Sequence, residues 1–363
     1  MNRAATYILS FALAALTSTP LCAQQFGGPL AISGDQILVG ESGNQTLSGI
    51  VYVFGNTNGT WSEIDQIQVT EEIRSPDGFG RAIAADQTTL LVGAPIEGSA
   101  YLYERTVGGE WGNPTPMRGQ AESDFGAAVA LTDRYMVVSA PAEEAGAVYV
   151  WDRSAPLDPK RLTAPDGVNA SFGSSLATDG VHLLVGASGR RGGAGSVHTY
   201  TLEGLNPIGQ LTTDDLPERS AYGSAIAVHQ GTAYVGASGF DARVGAVFVF
   251  EFAEDSWTEI APLRPIIAAP NSQFGASVAA TKEGLLVGAP GANGGGGALY
   301  RLGQGMTQVS VLESETAGEG AGLGGSVVAA HSLSAVGAVG VDERAGATVI
   351  FSEWNEKATV IND

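Results

Sequence analysis

The chain has 363 residues and a formal net charge of −20, with 18 Lys and Arg against 38 Asp and Glu. Such an acidic surface repels nucleic acid and anionic membranes, so we expect neither as a partner. Only 15% of the residues are charged, 44% are hydrophobic and 51 are glycine. This composition favours an all-β fold of many short strands joined by tight turns.

Residues 1–23 have the pattern of a secretory signal peptide. Arg3 gives a short positive region, residues 4–16 are mostly apolar, and the segment ends in a small residue at Ala23. The apolar core is too short to cross a bilayer, so we expect cleavage near Ala23 and no retained membrane span. Cys22 is the only cysteine, and cleavage leaves a mature chain without disulfides. The sequence therefore predicts a secreted protein, extracellular or periplasmic.

One unit repeats through residues 24–363, and its clearest copy is FGASVAATKEGLLVGAPGANGGGGALY at Phe274 to Tyr300. An aromatic residue followed by glycine opens six copies, Leu-Gly opens the seventh, and a Val-Gly-Ala-like sequence closes the apolar strand of the unit. The copies begin near Phe26, Phe79, Phe125, Phe172, Tyr222, Phe274 and Leu323, at intervals of 46 to 53 residues. This length fits one unit of about four short strands.

The composition of the unit indicates how its strands pack. The first strand, such as Ser277-Val278-Ala279, has small side chains suited to crowding around a central axis. The second, such as Leu285-Leu286-Val287, is apolar on both faces, so we expect it to be covered on both sides. Pro290 then lacks the amide hydrogen needed to continue the ladder. A single repeat buries too little apolar surface to offset its ordering entropy, but a closed ring of repeats could.

These motifs resemble the FG-GAP repeat family, which includes the ligand-binding propeller of integrin α chains and many secreted bacterial proteins. The resemblance rests on Phe274-Gly275 with Gly288-Ala289-Pro290 and on their six partial copies, and it implies a seven-bladed β-propeller of four-stranded antiparallel blades. Many integrin repeats carry a calcium loop between the first and second strands. Here that place holds short turns such as Ser33-Gly34-Asp35, which cannot supply six to eight oxygen ligands.

We therefore expect no metal, no cofactor and no catalytic residue. His229 and His331 occupy matching turns, but no metal-binding motif surrounds them in the sequence, and we expect solvated turn residues. Trp61, Trp111, Trp257 and Trp354 each follow a third strand, and we expect them to pack on the outer strand.

Acidic and basic residues concentrate in loops that an up-and-down blade places on one face. These are the loops from the second to the third strand and from each blade to the next. Because the equivalent face contributes to ligand binding in integrins, the resemblance makes it the candidate binding face. The candidate residues are Glu41, Glu97, Glu143, Glu144, Arg190, Arg191, Asp241, Arg243, Asp342 and Arg344. The alternative is that these loops are polar only because they are exposed to solvent.

The function predicted from the sequence is a secreted, non-enzymatic recognition module that binds a protein or cell-surface partner in adhesion or assembly. A carbohydrate-binding propeller is the first alternative, with Phe240 and Tyr222 as the loop aromatics that could stack on sugars. A lyase or hydrolase acting on extracellular polymers is the second. We expect a monomer, since no heptad pattern or odd cysteine in the mature chain indicates an oligomer. We also expect the first and last blades to meet side by side, without an N-terminal strand completing the last sheet.

Overall fold

The computed structural model describes residues 5–9, 26–42, 48–69, 76–165, 171–189, 193–214, 216–266, 269–314, 320–330, 333–341, 346–352 and 358–361. Within these ranges the chain is almost entirely β-structure. Its two helical segments there are the short turns Phe240–Arg243 (α1) and Asn293–Gly295. In that part of the chain no helix has the length and hydrophobicity needed to span a membrane.

Seven four-stranded antiparallel sheets form the blades, each from strands consecutive in the chain. Blade 1 contains β2 (Leu30–Ser33), β3 (Gln36–Glu41), β4 (Ile50–Thr57) and β5 (Thr60–Ile67). Blade 2 contains β6 (Ala82–Ala85), β7 (Thr89–Ala94), β8 (Ser99–Glu104) and β9 (Thr115–Arg118). Blade 3 contains β10 (Val129–Leu131), β11 (Tyr135–Ala140), β12 (Ala147–Asp152) and β13 (Ala155–Thr163). Blade 4 contains β14 (Phe172–Thr178), β15 (His182–Ala187), β16 (Ser196–Thr201) and β17 (Pro207–Leu211).

Blade 5 contains β18 (Tyr222–His229), β19 (Thr232–Ala237), β20 (Ala246–Ala253) and β21 (Ser256–Leu263). Blade 6 contains β22 (Ser277–Thr281), β23 (Gly284–Ala289), β24 (Ala298–Gly303) and β25 (Gln308–Ser314). Blade 7 contains β26 (Leu323–Ala330), β27 (Leu333–Ala338), β28 (Ala347–Ser352) and β29 (Ala358–Ile361). One further strand, β1 (Ala5–Leu9), pairs in parallel with the outer edge of blade 6, along β25.

The first strands of neighbouring blades contact one another around a ring, from β2 to β6 and onward to β26, which contacts β2 again. The predicted seven-bladed β-propeller is therefore confirmed. Burial also follows the predicted order: all six residues of β7 are buried, whereas most of the outer strand β5 is exposed. Seven hydrophobic clusters of described residues join neighbouring blades. One of them joins Ala335 of blade 7 to Phe26 and Val39 of blade 1.

The aromatic-glycine opening of each repeat locks one blade onto the preceding blade. In blade 2, Phe79 is fully buried and packs in one cluster with Val51 and Val53 of blade 1, and its ring meets Tyr101 of its own blade edge-on, with 5.8 Å between ring centroids. The glycine after the aromatic has a positive φ in all seven repeats, which an L side chain would resist. The seven glycines are Gly27, Gly80, Gly126, Gly173, Gly223, Gly275 and Gly324.

The Val-Gly-Ala glycine supplies the other half of this lock. A Cβ placed on Gly93 would lie 1.9 Å from the carbonyl oxygen of Gly126, the opening glycine of the next blade. At the ring closure, a Cβ on Gly337 would likewise lie 1.9 Å from the carbonyl oxygen of Gly27. Both motifs therefore contain glycine because the backbones of two neighbouring blades approach each other there.

The ring closes by contacts between blade 7 and blade 1, as the sequence predicts. All four strands of blade 7 come from the C-terminal part of the chain. A parallel bridge joins Phe26 to Gly346, and the Ser326 hydroxyl donates to the Gly27 carbonyl at 2.7 Å. The same parallel bridge joins Gly245 to Phe274 and Gly297 to Leu323, so the ring closes by the contact that also joins other neighbouring blades.

Candidate recognition face

The loop face is the side of the ring that carries the second-to-third-strand loops and the blade-to-blade loops. In the described part of the chain it holds six of the ten predicted binding residues, because alternating strand directions bring both loop sets to one side. Arg190, Arg191, Asp342 and Arg344 lie outside the described residues. The other six differ in burial, and this difference separates structural carboxylates from exposed ones.

Glu41 and Glu143 point into the protein. Glu41 is 1% exposed and accepts a hydrogen bond from the Tyr52 hydroxyl at 2.6 Å. Glu143 is 4% exposed and accepts from the Tyr149 hydroxyl at 2.9 and 3.0 Å. Arg161 donates to Glu143 at 2.7 Å, so the buried charge is paired. These two carboxylates fix the base of their loops rather than face a ligand.

The tyrosines of these pairs join the loops to the aromatic-glycine lock. Tyr149 meets the ring of Phe125 edge-on at 5.6 Å, and Tyr52 meets Phe26 at 5.4 Å. Burial raises the pKa of Tyr149, and its hydrogen bond to the Glu143 carboxylate raises it further. The hydroxyl therefore stays a hydrogen-bond donor to the carboxylate at neutral pH.

Glu97 lies on the second-to-third-strand loop of blade 2, and Glu144 follows Glu143 on the equivalent loop of blade 3. The Glu97 side chain is 27% exposed; the Tyr101 hydroxyl donates to its carboxylate at 2.5 Å, and Arg118 pairs with the other carboxylate oxygen at 3.1 Å. The Glu144 side chain is 76% exposed, pairs with Arg161 at 3.1 Å and has a left-handed backbone, with φ of 52°. Glu97 is therefore part of the network that holds its loop, whereas Glu144 lies exposed beside the Glu143 network.

Asp241 and Arg243 come together on the turn α1 of blade 5. Asp241, Ala242 and Arg243 have φ of 48°, 54° and 64°, so three consecutive non-glycine residues adopt the left-handed conformation. Each such residue costs about 1 kcal/mol or more, and runs of them are rare. The turn is nevertheless held by backbone bonds, including Gln273 N–H to the Arg243 carbonyl at 2.8 Å. All three side chains are exposed.

Phe240 and Arg264, which are not among the predicted charged residues of the loop face, complete this turn. The Arg264 guanidinium lies 4.8 Å from the Phe240 ring centroid and 3.7 Å from the Asp241 carboxylate. Phe240 packs edge-on against Phe248 at 5.6 Å. Arg264 comes from the blade-to-blade loop, and no local motif links it to α1. We call Phe240, Asp241, Arg243 and Arg264 the blade 5 cluster.

Asp77, which also lies on the loop face, is a structural residue. It is 3% exposed and accepts hydrogen bonds from the Ser48 hydroxyl at 2.5 Å and from the Gly49 and Phe79 amides at 3.1 and 2.9 Å. These bonds tie the opening of blade 2 to the loop of blade 1. The sequence showed an acid in a loop, but only the fold shows its burial.

The histidines and tryptophans have mainly packing roles. His198 takes the place of the tyrosine in blade 4 and meets Phe172 edge-on at 5.3 Å. His229 is only partly exposed, and its Nε2 atom is buried without a hydrogen-bond partner, so the expected solvated turn residue is partly enclosed. Trp61, Trp111 and Trp257 pack against the blade cores, as predicted. His331 and Trp354 lie outside the described residues. Across the described ranges no three His, Cys, Asp or Glu side chains group as metal ligands.

Comparison with known proteins gives a structural likeness only. No protein-family model matches the chain, and no curated protein matches it. Among solved structures it is similar to Kuenenia stuttgartiensis hydrazine synthase, with a TM-score of 0.61 and 10% sequence identity over 96% of this chain and 99% of that chain. At this identity the likeness shows the fold alone.

Proposed function

We propose that this protein is a secreted recognition module of the FG-GAP type, which binds a protein or cell-surface partner through its loop face. The observation that carries the proposal is the left-handed run Asp241-Ala242-Arg243. Strained backbone concentrates at functional sites, where the surrounding fold compensates its cost. Here the strain holds one acidic and one basic side chain outward from a loop fixed by backbone hydrogen bonds.

The composition of the blade 5 cluster supports recognition. It combines an aromatic ring with two arginines, and aromatic residues and arginine are enriched where binding energy concentrates. Ile266 lies two residues after Arg264 and is 70% exposed. A second exposed isoleucine, Ile96 at 62%, precedes Glu97 on the loop of blade 2. Apolar side chains beside charged ones on rigid loops give a partner both desolvation energy and specificity.

The fixed loop bases support the same proposal. Tyr149 and Arg161 hold Glu143 beside Glu144, and Tyr101 and Arg118 hold Glu97, so these loop residues are already held before a partner arrives. Binding by ordered side chains loses less conformational entropy than binding by mobile ones. We therefore place partner contacts at Glu97, Glu144 and the blade 5 cluster.

The test uses the double variant Asp241→Asn/Arg243→Gln. The protein is immobilised, and binding of solubilised envelope and secreted fractions of the source organism is followed by interferometry. We expect saturable binding that falls at least tenfold in the double variant. Asp255→Asn is the matched control, because Asp255 is exposed in the β20–β21 turn on the opposite face. Equal binding by all three proteins would refute the proposed face.

A glycan array, run with calcium and again with chelator, separates the two binding alternatives. Saturable binding to a related set of sugars would replace the protein partner with a carbohydrate ligand. If the partner is a protein, we expect no saturable glycan binding, either with calcium or with chelator.

A further inference from the structure

The opposite side of the ring, which carries the first-to-second-strand and third-to-fourth-strand turns, is here called the turn face. Two cavities open there, of about 870 Å³ and about 670 Å³, within the roughly 300–1,000 Å³ typical of ligand pockets. The first is lined by blades 7, 1, 2 and 3, and the second by blades 3, 4, 5 and 6. Asp133 lines both, so the two cavities form one funnel around the axis.

Most charged groups of the funnel are already paired. Asp86 accepts from Arg153 at 2.8 Å and from the amides of Thr88 and Thr89 at 2.7 Å. Burial works to raise the pKa of Asp86, but the Thr88 amide, Arg153 and the Thr89 amide together lower it below its usual value. Because Arg153 belongs to blade 3 and Asp86 to blade 2, this pair ties neighbouring blades.

In the second cavity, the Asp179 carboxylate is likewise hydrogen-bonded within the protein. Its carboxylate accepts from the His182 ring at 3.1 Å and from the amides of His182 and Gly231 at 2.8 and 3.3 Å. The His182 ring in turn packs on Phe252 of blade 5, with 4.4 Å between centroids. The charges of Asp86 and Asp179 therefore serve the structure of the ring.

Asp133 differs from both. It is exposed, and among the described residues its carboxylate accepts no hydrogen bond and forms no ion pair. Its neighbour Arg134 pairs with Asp152 at 3.0 Å instead. The funnel thus presents one free negative charge at the junction of its cavities. Apolar walls flank it, including Ile32 and Val228.

We propose that the funnel binds an extended lysine- or arginine-bearing segment of a protein partner, with one cationic side chain paired to Asp133. The two adjoining cavities suit a segment that crosses the axis, and their apolar walls can receive the aliphatic stems of long basic side chains. The net charge of −20 favours the approach of such a segment. This site is separate from the loop face and adds a second binding surface to the module.

The test measures binding of a rhodamine-labelled, acetylated and amidated hexalysine peptide to the full chain by fluorescence anisotropy. We expect Asp133→Asn to weaken binding about threefold to fivefold, as the loss of one exposed ion pair would. Asp133→Lys is expected to weaken it further. Asp35→Asn is the matched control, because Asp35 is exposed in the equivalent turn of blade 1 and lines neither cavity. Gln230→Lys adds a positive charge to the second cavity and should also weaken binding.

Equal losses in Asp133→Asn and Asp35→Asn would overturn the proposal, since net charge alone would then explain the attraction. Absence of peptide binding to the unaltered chain at low salt would overturn it as well. Circular dichroism checks that each variant is folded. Binding to the envelope fraction through the blade 5 cluster should be unchanged in Asp133→Asn, so the failure of one proposal can be told from the failure of the other.

Discussion

A single methyl group added at the ring closure should destabilise the fold. In Gly337→Ala the added Cβ would lie 1.9 Å from the Gly27 carbonyl oxygen and 2.4 Å from the Ser326 hydroxyl oxygen. These two atoms form the hydrogen bond that joins blade 7 to blade 1. Overpacking costs about 1–3 kcal/mol, and the displaced hydrogen bond adds about 1 kcal/mol. We therefore expect a loss of about 2–4 kcal/mol in the free energy of unfolding.

Urea unfolding followed by tryptophan fluorescence measures this loss. Gly305→Ala is the control, because a Cβ on Gly305 meets nothing within 4 Å, and it should change stability by less than about 0.5 kcal/mol. Gly93→Ala makes the same close approach, to Gly126, between two blades joined by the chain. We expect Gly93→Ala to destabilise the protein while leaving blades 7 and 1 protected from proteolysis, unlike Gly337→Ala. A Gly337→Ala protein as stable as the unaltered chain would refute the closure described here.

Three further predictions concern single side chains. Glu143→Gln should cost about 1–3 kcal/mol, because it removes the buried charge that Arg161 neutralises; Glu144→Gln, at an exposed site, should stay within about 0.5 kcal/mol in the same urea assay. Ala242→Gly should stabilise the fold by up to about 1 kcal/mol, because glycine adopts the left-handed conformation of residue 242 without strain. A lower melting temperature in this variant would contradict the presence of backbone strain. Burial works to raise the pKa of Asp179, but hydrogen bonds from His182 and a neighbouring amide bring it below its usual value. That carboxylate should therefore stabilise the fold above about pH 4 and lose this effect as the pH falls through the folded pKa. The stability gap between the unaltered chain and Asp179→Asn should accordingly narrow between pH 6 and pH 3.

The repeat made most of the fold predictable from the sequence. Two motifs recur at a constant separation, and both have a local physical cause: a buried aromatic ring and a glycine that another backbone approaches. Glycine permits the positive φ seen at Gly275, and Pro290 lacks the amide hydrogen that would continue the ladder after Ala289. Ring closure was predictable because repeat seven contains its own four strands.

The binding face was only partly predictable, because loop side chains are placed by neighbours distant in the sequence. The glutamate that meets the tyrosine lies 11 residues before it in blade 1, 4 in blade 2 and 6 in blade 3, so no fixed spacing marks the pair. In the left-handed run of residues 241–243, only Asp241 belongs to a residue type that is enriched in this conformation, so the sequence does not predict the run. Asp86 and Asp133 occupy similar turns, and Arg153 of the adjacent blade decides which of them is paired.

Hydrogen exchange of the protein, with and without the partner captured from the envelope or secreted fraction, tests the recognition proposal most directly. We expect slowed exchange of amides in the second-to-third-strand loops of blades 2, 3 and 5, including Arg243 and Val244, with the outer strands unchanged. Slowed exchange confined to the outer strands or to the turn face would contradict recognition by the loop face.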